Sequence, residues 1–132
     1  MNKIKNLLLI DDDYLSNYLH QITIQESDLV ENILVFESGI AAINYLIQTE
    51  KLPEIIFVDI NMPITNCWDF LNEYEKYWKP GDSHIFLLSS SINQEDEINA
   101  RNHPYINSFI GKPLTLDIFR KIIHELLITN ML

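Results

Sequence analysis

The chain alternates short apolar runs with longer stretches in which apolar residues return every three or four positions. The apolar runs lie at residues 7–10, 33–36, 55–58, 85–88 and 106–110. Most of them do not alternate polar with apolar side chains, which is typical of strands that are buried on both faces of a parallel sheet. The pattern therefore predicts five buried strands.

Helical spacing fills the intervals between these runs. In the first interval Leu15, Tyr18, Leu19 and Ile22 share one face, as expected of an amphipathic helix that packs inward. Similar stripes occupy residues 40–47, 67–78 and 116–127. The fourth interval differs, because Ile98 is the only large apolar side chain between residues 93 and 103. We expect five helices, of which the fourth is the least firmly packed.

Regular strand–helix alternation favours an open, doubly wound α/β sheet, whose ligands gather at the carboxyl ends of the strands. The polar residues at those ends are therefore the candidate site. Asp11 and Asp12 end the first run, Asp59 ends the third, Ser89 ends the fourth, and Lys112 closely follows the fifth. The topology predicts a cluster of carboxylates, a hydroxyl and an ammonium on one edge of the sheet.

Asp11, Asp12 and Asp13 are adjacent like charges at the end of an apolar run, an arrangement that is costly unless a cation lies nearby. A missing cation is therefore the first hypothesis. The alternative for Asp13 is a plain helix N-cap. Ser89, Ser90 and Ser91 are equally compatible with a polar turn and helix cap.

Composition limits the class of protein. The 132 residues suit one domain, and 47% apolar with 21% charged residues is typical of a globular core. A net charge of −10 argues against direct binding to nucleic acid or to an anionic membrane surface. Cys67, the single cysteine, cannot form an internal disulfide, and no apolar stretch approaches the roughly 20 residues of a membrane span. We expect a cytoplasmic protein.

Four segments, LLLIDDD, IIFVDINMP, IFLLSSS and FIGKPL, resemble in order and spacing the receiver domain of two-component response regulators. The resemblance covers essentially the whole chain. It implies a flavodoxin-like fold with strand order 2-1-3-4-5 and five helices, and a single receiver domain over residues 1–132 without an output domain. It also implies a signalling module without a separate substrate, rather than an enzyme.

Carried over by position, the resemblance makes Asp59 the phosphoacceptor, and Asp11 and Asp12 the acidic pair. These three carboxylates and the backbone carbonyl of Asn61 would bind Mg²⁺. Such chemistry has a physical reason, because phosphoryl transfer depends on positioning and on neutralising the charge of the moving group.

The remaining implied roles concern the signal. Lys112 would be the family's lysine, followed by a proline that is often joined by a cis bond. Ser89 would be the switch hydroxyl, and Phe109 stands at the aromatic switch position. The implied phosphoryl donor is a histidine kinase or phosphotransfer protein, and the signal would pass to a downstream protein partner.

One departure concerns Cys67, because the family usually has glycine there, with more backbone freedom. A haloacid dehalogenase would need a second acid where Asn61 stands, and a flavodoxin's flavin phosphate would be repelled by Asp11 to Asp13. The alternative that remains is a receiver-like binding module that signals by protein contacts without phosphorylation.

Overall fold

The computed structural model describes residues 3–91 and 93–132, which form five strands and five helices in strict alternation. The strands are β1 (Ile4–Ile10), β2 (Val30–Phe36), β3 (Ile55–Asp59), β4 (His84–Ser89) and β5 (Ile106–Gly111). The helices are α1 (Tyr14–Ser27), α2 (Gly39–Gln48), α3 (Cys67–Tyr74), α4 (Gln94–Asn102) and α5 (Leu116–Ile128). Within the described residues no helix is both long and apolar enough to span a membrane.

All strand pairs are parallel, and their order is β2-β1-β3-β4-β5. The predicted flavodoxin-like α/β fold is thereby confirmed. The register places Ile10 of β1 beside Val58 of β3, and Asp59 beside Leu88 of β4. The carboxyl ends of the three central strands therefore meet at one point of the sheet edge.

Each face of the sheet has its own apolar core, because successive strand residues point to opposite sides. Leu8, Ile10, Ile56 and Val58 pack beneath α2, α3 and Ala100 of α4. The alternate residues of the same strands, among them Leu7, Leu9 and Phe57, pack against α1 and α5. This two-sided burial is why the strand segments read as unbroken apolar runs.

The predicted inward face of α1 is wrong. Tyr14, Leu15, Tyr18 and Leu19 are half or more exposed, and Ile22 is only partly buried. The face that meets the rest of the protein instead consists of the buried residues Asn17, His20, Ile24 and Ser27. The physical reason is that two backbone groups near the sheet edge find hydrogen-bond partners on this polar face: the carbonyl of Asp11 accepts from Asn17, and the N–H of Leu114 donates to His20.

Two further expectations concern α3 and α4. α3 ends at Tyr74, four residues before the predicted boundary at Trp78. In α4 the one buried residue is Ala100, while Ile98 is 50% exposed. The prediction of a loosely anchored fourth helix is confirmed.

Cys67 begins α3 without a glycine-like backbone. Among the described residues, positive φ angles occur at Asp28, Gly81 and Asn130, and Cys67 is not one of them. Its side chain is fully buried in the core beside α2, and burial raises the pKa of the thiol to about 12. The cysteine therefore serves as a small core residue in a conformation that needs no glycine.

Replacing Cys67 with glycine should lower the free energy of unfolding by about 1–2 kcal/mol, because a buried side chain is lost and the unfolded chain gains freedom. Urea denaturation of the Cys67→Gly variant measures this. A variant as stable as the parent would show that the backbone at this position prefers glycine.

Candidate functional site

Three carboxylates meet at the carboxyl edge of the sheet. Asp11 and Asp12 directly follow β1, and Asp59 is the last residue of β3. One carboxylate oxygen from each lies within 4.8 Å of the others. Asp11 and Asp59 are buried and Asp12 is exposed, so the cluster has a floor within the protein and an opening to solvent. The predicted acidic cluster is present.

Lys112 reaches into this cluster from the loop after β5. Its Nζ donates a hydrogen bond to Asp11 Oδ2 at 2.7 Å and lies 3.5 Å from Asp59 Oδ1. The backbone N–H of Lys112 donates to the carbonyl of Ser89 at 2.8 Å. The peptide bond between Lys112 and Pro113 is cis, as the resemblance implies.

The electrostatics of the site are unbalanced. Burial first, and then the charge of Asp11, raises the pKa of Asp59 to about 6, although Lys112 and the backbone N–H of Asn61 act in the opposite direction. For Lys112, burial alone would lower the pKa, but the hydrogen bond to Asp11 and the two nearby carboxylates outweigh burial and raise it. The ammonium of Lys112 is thus shared by Asp11 and Asp59.

The donor set fits a hard divalent cation. Carboxylate oxygens from Asp11, Asp12 and Asp59 are the ligands that Mg²⁺ prefers, and the opening at Asp12 leaves room for water ligands. Asn61 is exposed two residues beyond Asp59, so its backbone carbonyl belongs to the same loop. Three carboxylates and one ammonium leave a net negative charge in the cluster, and a divalent cation would compensate it.

Ser89 ends β4 beside this cluster, but its hydroxyl is engaged locally. Its Oγ donates to the carbonyl of Ser91 at 2.7 Å and accepts from the N–H of Ser91 at 3.2 Å. The polar turn that was the alternative interpretation of these serines is therefore formed. Asp13 likewise caps α1, with its carboxylate accepting from the N–H of Leu15.

Phe109 lies away from the carboxylates, on β5. It is partly buried against the core beside α4 and lines an open groove of about 290 Å³ between these two elements. Ala100, Arg101 and Ile106 line the same groove. The aromatic ring thus has free volume next to the least firmly packed helix.

Sequence reasoning missed Asn17 and His20, which α1 turns toward the site. Asn17 Nδ2 donates to the backbone carbonyl of Asp11 at 2.8 Å, and the N–H of Leu114 donates to His20 Nε2 at 3.3 Å. Burial, followed by the charge of Lys112, lowers the pKa of His20, which keeps the imidazole neutral as an acceptor. The one sequence signal was their spacing of three residues, which puts both on one face.

Solved structures of other proteins share this fold over nearly the whole chain. A two-component response regulator from Cytophaga hutchinsonii is 34% identical, with a TM-score of 0.87 and coverage of 96% of this chain and 98% of that one. The chain belongs to the response regulator receiver family. No protein-family model matches the sequence, and no curated protein sequence matches it.

Two more receivers show the same fold. A response regulator receiver protein from Dyadobacter fermentans is 22% identical, with a TM-score of 0.82 over 92% of this chain and 96% of that one. A two-component response regulator from Legionella pneumophila is 25% identical, with a TM-score of 0.77 over 92% and 97%. Membership of this receiver family supports a role in phosphorelay signalling.

The raised pKa of Asp59 predicts a pH-dependent effect of Asp59→Asn. Between the ordinary value of 3.8 and about 6, the native carboxyl holds a proton that the unfolded chain has lost, so stability falls as the pH rises through this window. In EDTA at pH 7.5 the variant should be more stable than the parent by about 1–2 kcal/mol. The gain should shrink from pH 6 downwards and vanish near pH 4. Urea denaturation across this range checks it, and a gain independent of pH would contradict the electrostatic origin.

Proposed function

We propose that this receiver accepts a phosphoryl group on Asp59. The observation that carries the proposal is a buried carboxylate, Asp59, that lies within 4.8 Å of a second carboxylate, Asp11, and 3.5 Å from the ammonium of Lys112. An Asp59 oxygen bonds to phosphorus while the P–N bond of a donor phosphohistidine breaks, and the released imidazole takes up a proton from water. With acetyl phosphate the P–O bond breaks and acetate leaves. The product in both cases is an aspartyl phosphate.

The residues around Asp59 suit this transfer. With a pKa of about 6, its carboxylate is mostly ionised at neutral pH and is free to attack. Mg²⁺, held by Asp11, Asp12, Asp59 and the backbone carbonyl of Asn61, would supply charge neutralisation for the phosphoryl oxygens. Lys112 Nζ, already 3.5 Å from Asp59, would then donate to the new phosphoryl group.

The phosphoryl donor is a histidine kinase or a phosphotransfer protein. Support comes from the surroundings of the opening, where Tyr14, Leu15 and Tyr18 at the start of α1 are all more than half exposed. Ile64, in the loop after β3, is 91% exposed at the same edge. An apolar surface around a charged site is typical of a protein docking face.

The output is a rearrangement of the loop after β4. When the Ser89 hydroxyl turns to the phosphoryl group, it gives up both of its hydrogen bonds to Ser91. The loop is thereby released next to α4, in which Ala100 is the one buried residue. Phe109 can then move within its groove, so a surface made of α4 and β5 presents the signal to a downstream protein.

Acetyl phosphate with Mg²⁺ should label the parent protein, and Asp59→Asn should abolish the label, because an asparagine side chain has no carboxylate that can form an acyl phosphate. Asp13→Asn is the matched control, since asparagine also caps helices and Asp13 lies outside the cluster. It should retain most of the labelling. Mass spectrometry of the intact protein measures both variants.

Phosphate found on a serine would overturn the assignment of Asp59. An unlabelled parent that also fails to respond to beryllofluoride with Mg²⁺ would favour the alternative, a receiver-like binding module that signals by protein contacts alone.

Ser89→Ala should still accept phosphate but lose the activated conformation, because it lacks the hydroxyl that would turn from Ser91 to the phosphoryl group. In the parent, beryllofluoride with Mg²⁺ should shift amide resonances from Asn93 to Ile110. In Ser89→Ala these shifts should be reduced severalfold, while those near Asp12 and Asp59 remain. Parent shifts confined to the loops around Asp12 and Asp59 would rule the switch out.

A further inference from the structure

The inward face of α1 is polar near the site, although helices usually bury their apolar side. Asn17 and His20 are each 4% exposed and lie three residues apart on this face. Burying an amide and an imidazole costs free energy unless hydrogen bonds compensate it. The partners of these two side chains therefore indicate what the polar face does.

Both partners are backbone groups that carry residues of the site. Asn17 Nδ2 binds the carbonyl of Asp11 itself. His20 Nε2 accepts the N–H of Leu114, a buried residue two positions after Lys112 and 94 positions after His20. Ser27 lies on the same helix face, yet its hydroxyl donates only to Ile24 of its own helix. The two bonds to backbone groups of the site are thus made near the end of α1 that adjoins the carboxylates.

The segment that carries Lys112 is held from two sides. On one side the N–H of Lys112 donates to Ser89 at the end of β4, and on the other Leu114 donates to His20. A lysine side chain is a flexible stem of four carbons, so its ammonium is held at one position only when the backbone that carries it is also held. Lys112 Nζ lies 2.7 Å from one carboxylate oxygen and 3.5 Å from another.

We propose that His20 is a positioning residue for phosphorylation: by accepting the N–H of Leu114, it fixes the backbone of Lys112 so that the ammonium reaches Asp11 and Asp59 together. Asn17 fixes the Asp11 side of the same ion pair. The inference rests on the proposed function, since the rate that His20 influences is that of phosphoryl transfer to Asp59. A displaced ammonium slows this transfer because the developing charge is less well neutralised.

The test compares His20→Leu with His20→Gln. Leucine has a similar volume but accepts no hydrogen bond, whereas the Gln Oε1 can take the place of Nε2 as the acceptor. At saturating Mg²⁺ and acetyl phosphate, His20→Leu should label at least fivefold more slowly than the parent. His20→Gln should label within twofold of it. The Kd for Mg²⁺, from calorimetry, should stay within twofold in both variants, because Asp11, Asp12 and Asp59 are unchanged.

A second readout needs neither metal nor phosphate. Hydrogen exchange of the Leu114 amide in the metal-free protein should accelerate at least tenfold in His20→Leu and stay close to the parent rate in His20→Gln.

His84→Leu is the matched control. His84 is also a buried histidine, and its Nε2 bonds to the backbone carbonyl of Met131 at 2.8 Å, at the opposite edge of the sheet. This variant should lose stability but label within twofold of the parent. If His20→Leu fails to fold, His20→Asn replaces it, because its shorter side chain cannot reach Leu114.

A folded His20→Leu that labels at the parent rate would overturn the proposal, as would an equal loss of rate in His84→Leu. Failure of the proposed function looks different, because the parent itself would then remain unlabelled. The exchange of the Leu114 amide would still report whether His20 holds the loop.

Discussion

The site depends on one constraint: three carboxylates are gathered at the sheet edge, and a single ammonium, that of Lys112, contacts two of them. Lys112 binds Asp11 closely and Asp59 at a longer distance, while Asp12 faces solvent. Burial makes the remaining repulsion expensive, and the raised pKa of Asp59 expresses that cost. Added positive charge would therefore stabilise the site. The fold tolerates this repulsion because the sheet that carries the carboxylates is stabilised by an apolar core on each face.

Much of this arrangement could be predicted from the sequence. Parallel strands covered on both sides leave unbroken apolar runs, and the residue that ends each run must lie on the same edge as the others. Asp59, Ser89 and Lys112 are far apart along the chain, yet each follows or ends such a run. The periodicity therefore located the edge, and the spacing of the four motifs gave each residue its place on it.

The parts that could not be predicted depend on which partner each polar side chain binds. In α1 the apolar and the polar residues both recur at helical spacing, so the spacing is compatible with either face inward. The outcome was decided by the backbone groups of Asp11 and Leu114, which needed partners, and Leu114 is 94 residues from His20. The hydrogen bonds of the Ser89 hydroxyl could not be predicted either, because a serine at the end of a strand can form a local turn or bind a ligand. Sequence patterns record burial well, but they do not record which distant group a polar side chain satisfies.

The same contacts also connect the carboxylate site to the elements on either side of it. The backbone N–H of Lys112 donates to the carbonyl of Ser89, so the lysine that lies 3.5 Å from Asp59 and the residue that ends β4 form one directly connected unit. On the α1 side this unit is held by buried hydrogen bonds, and on the α4 side it adjoins a helix with one buried residue. A displacement of this unit is expected on the α4 side, because the free energy of local opening is lowest where few apolar contacts must break. Phe109 is on the strand that leads into Lys112 and lies on this α4 side, beside the groove that it shares with Ala100 and Arg101.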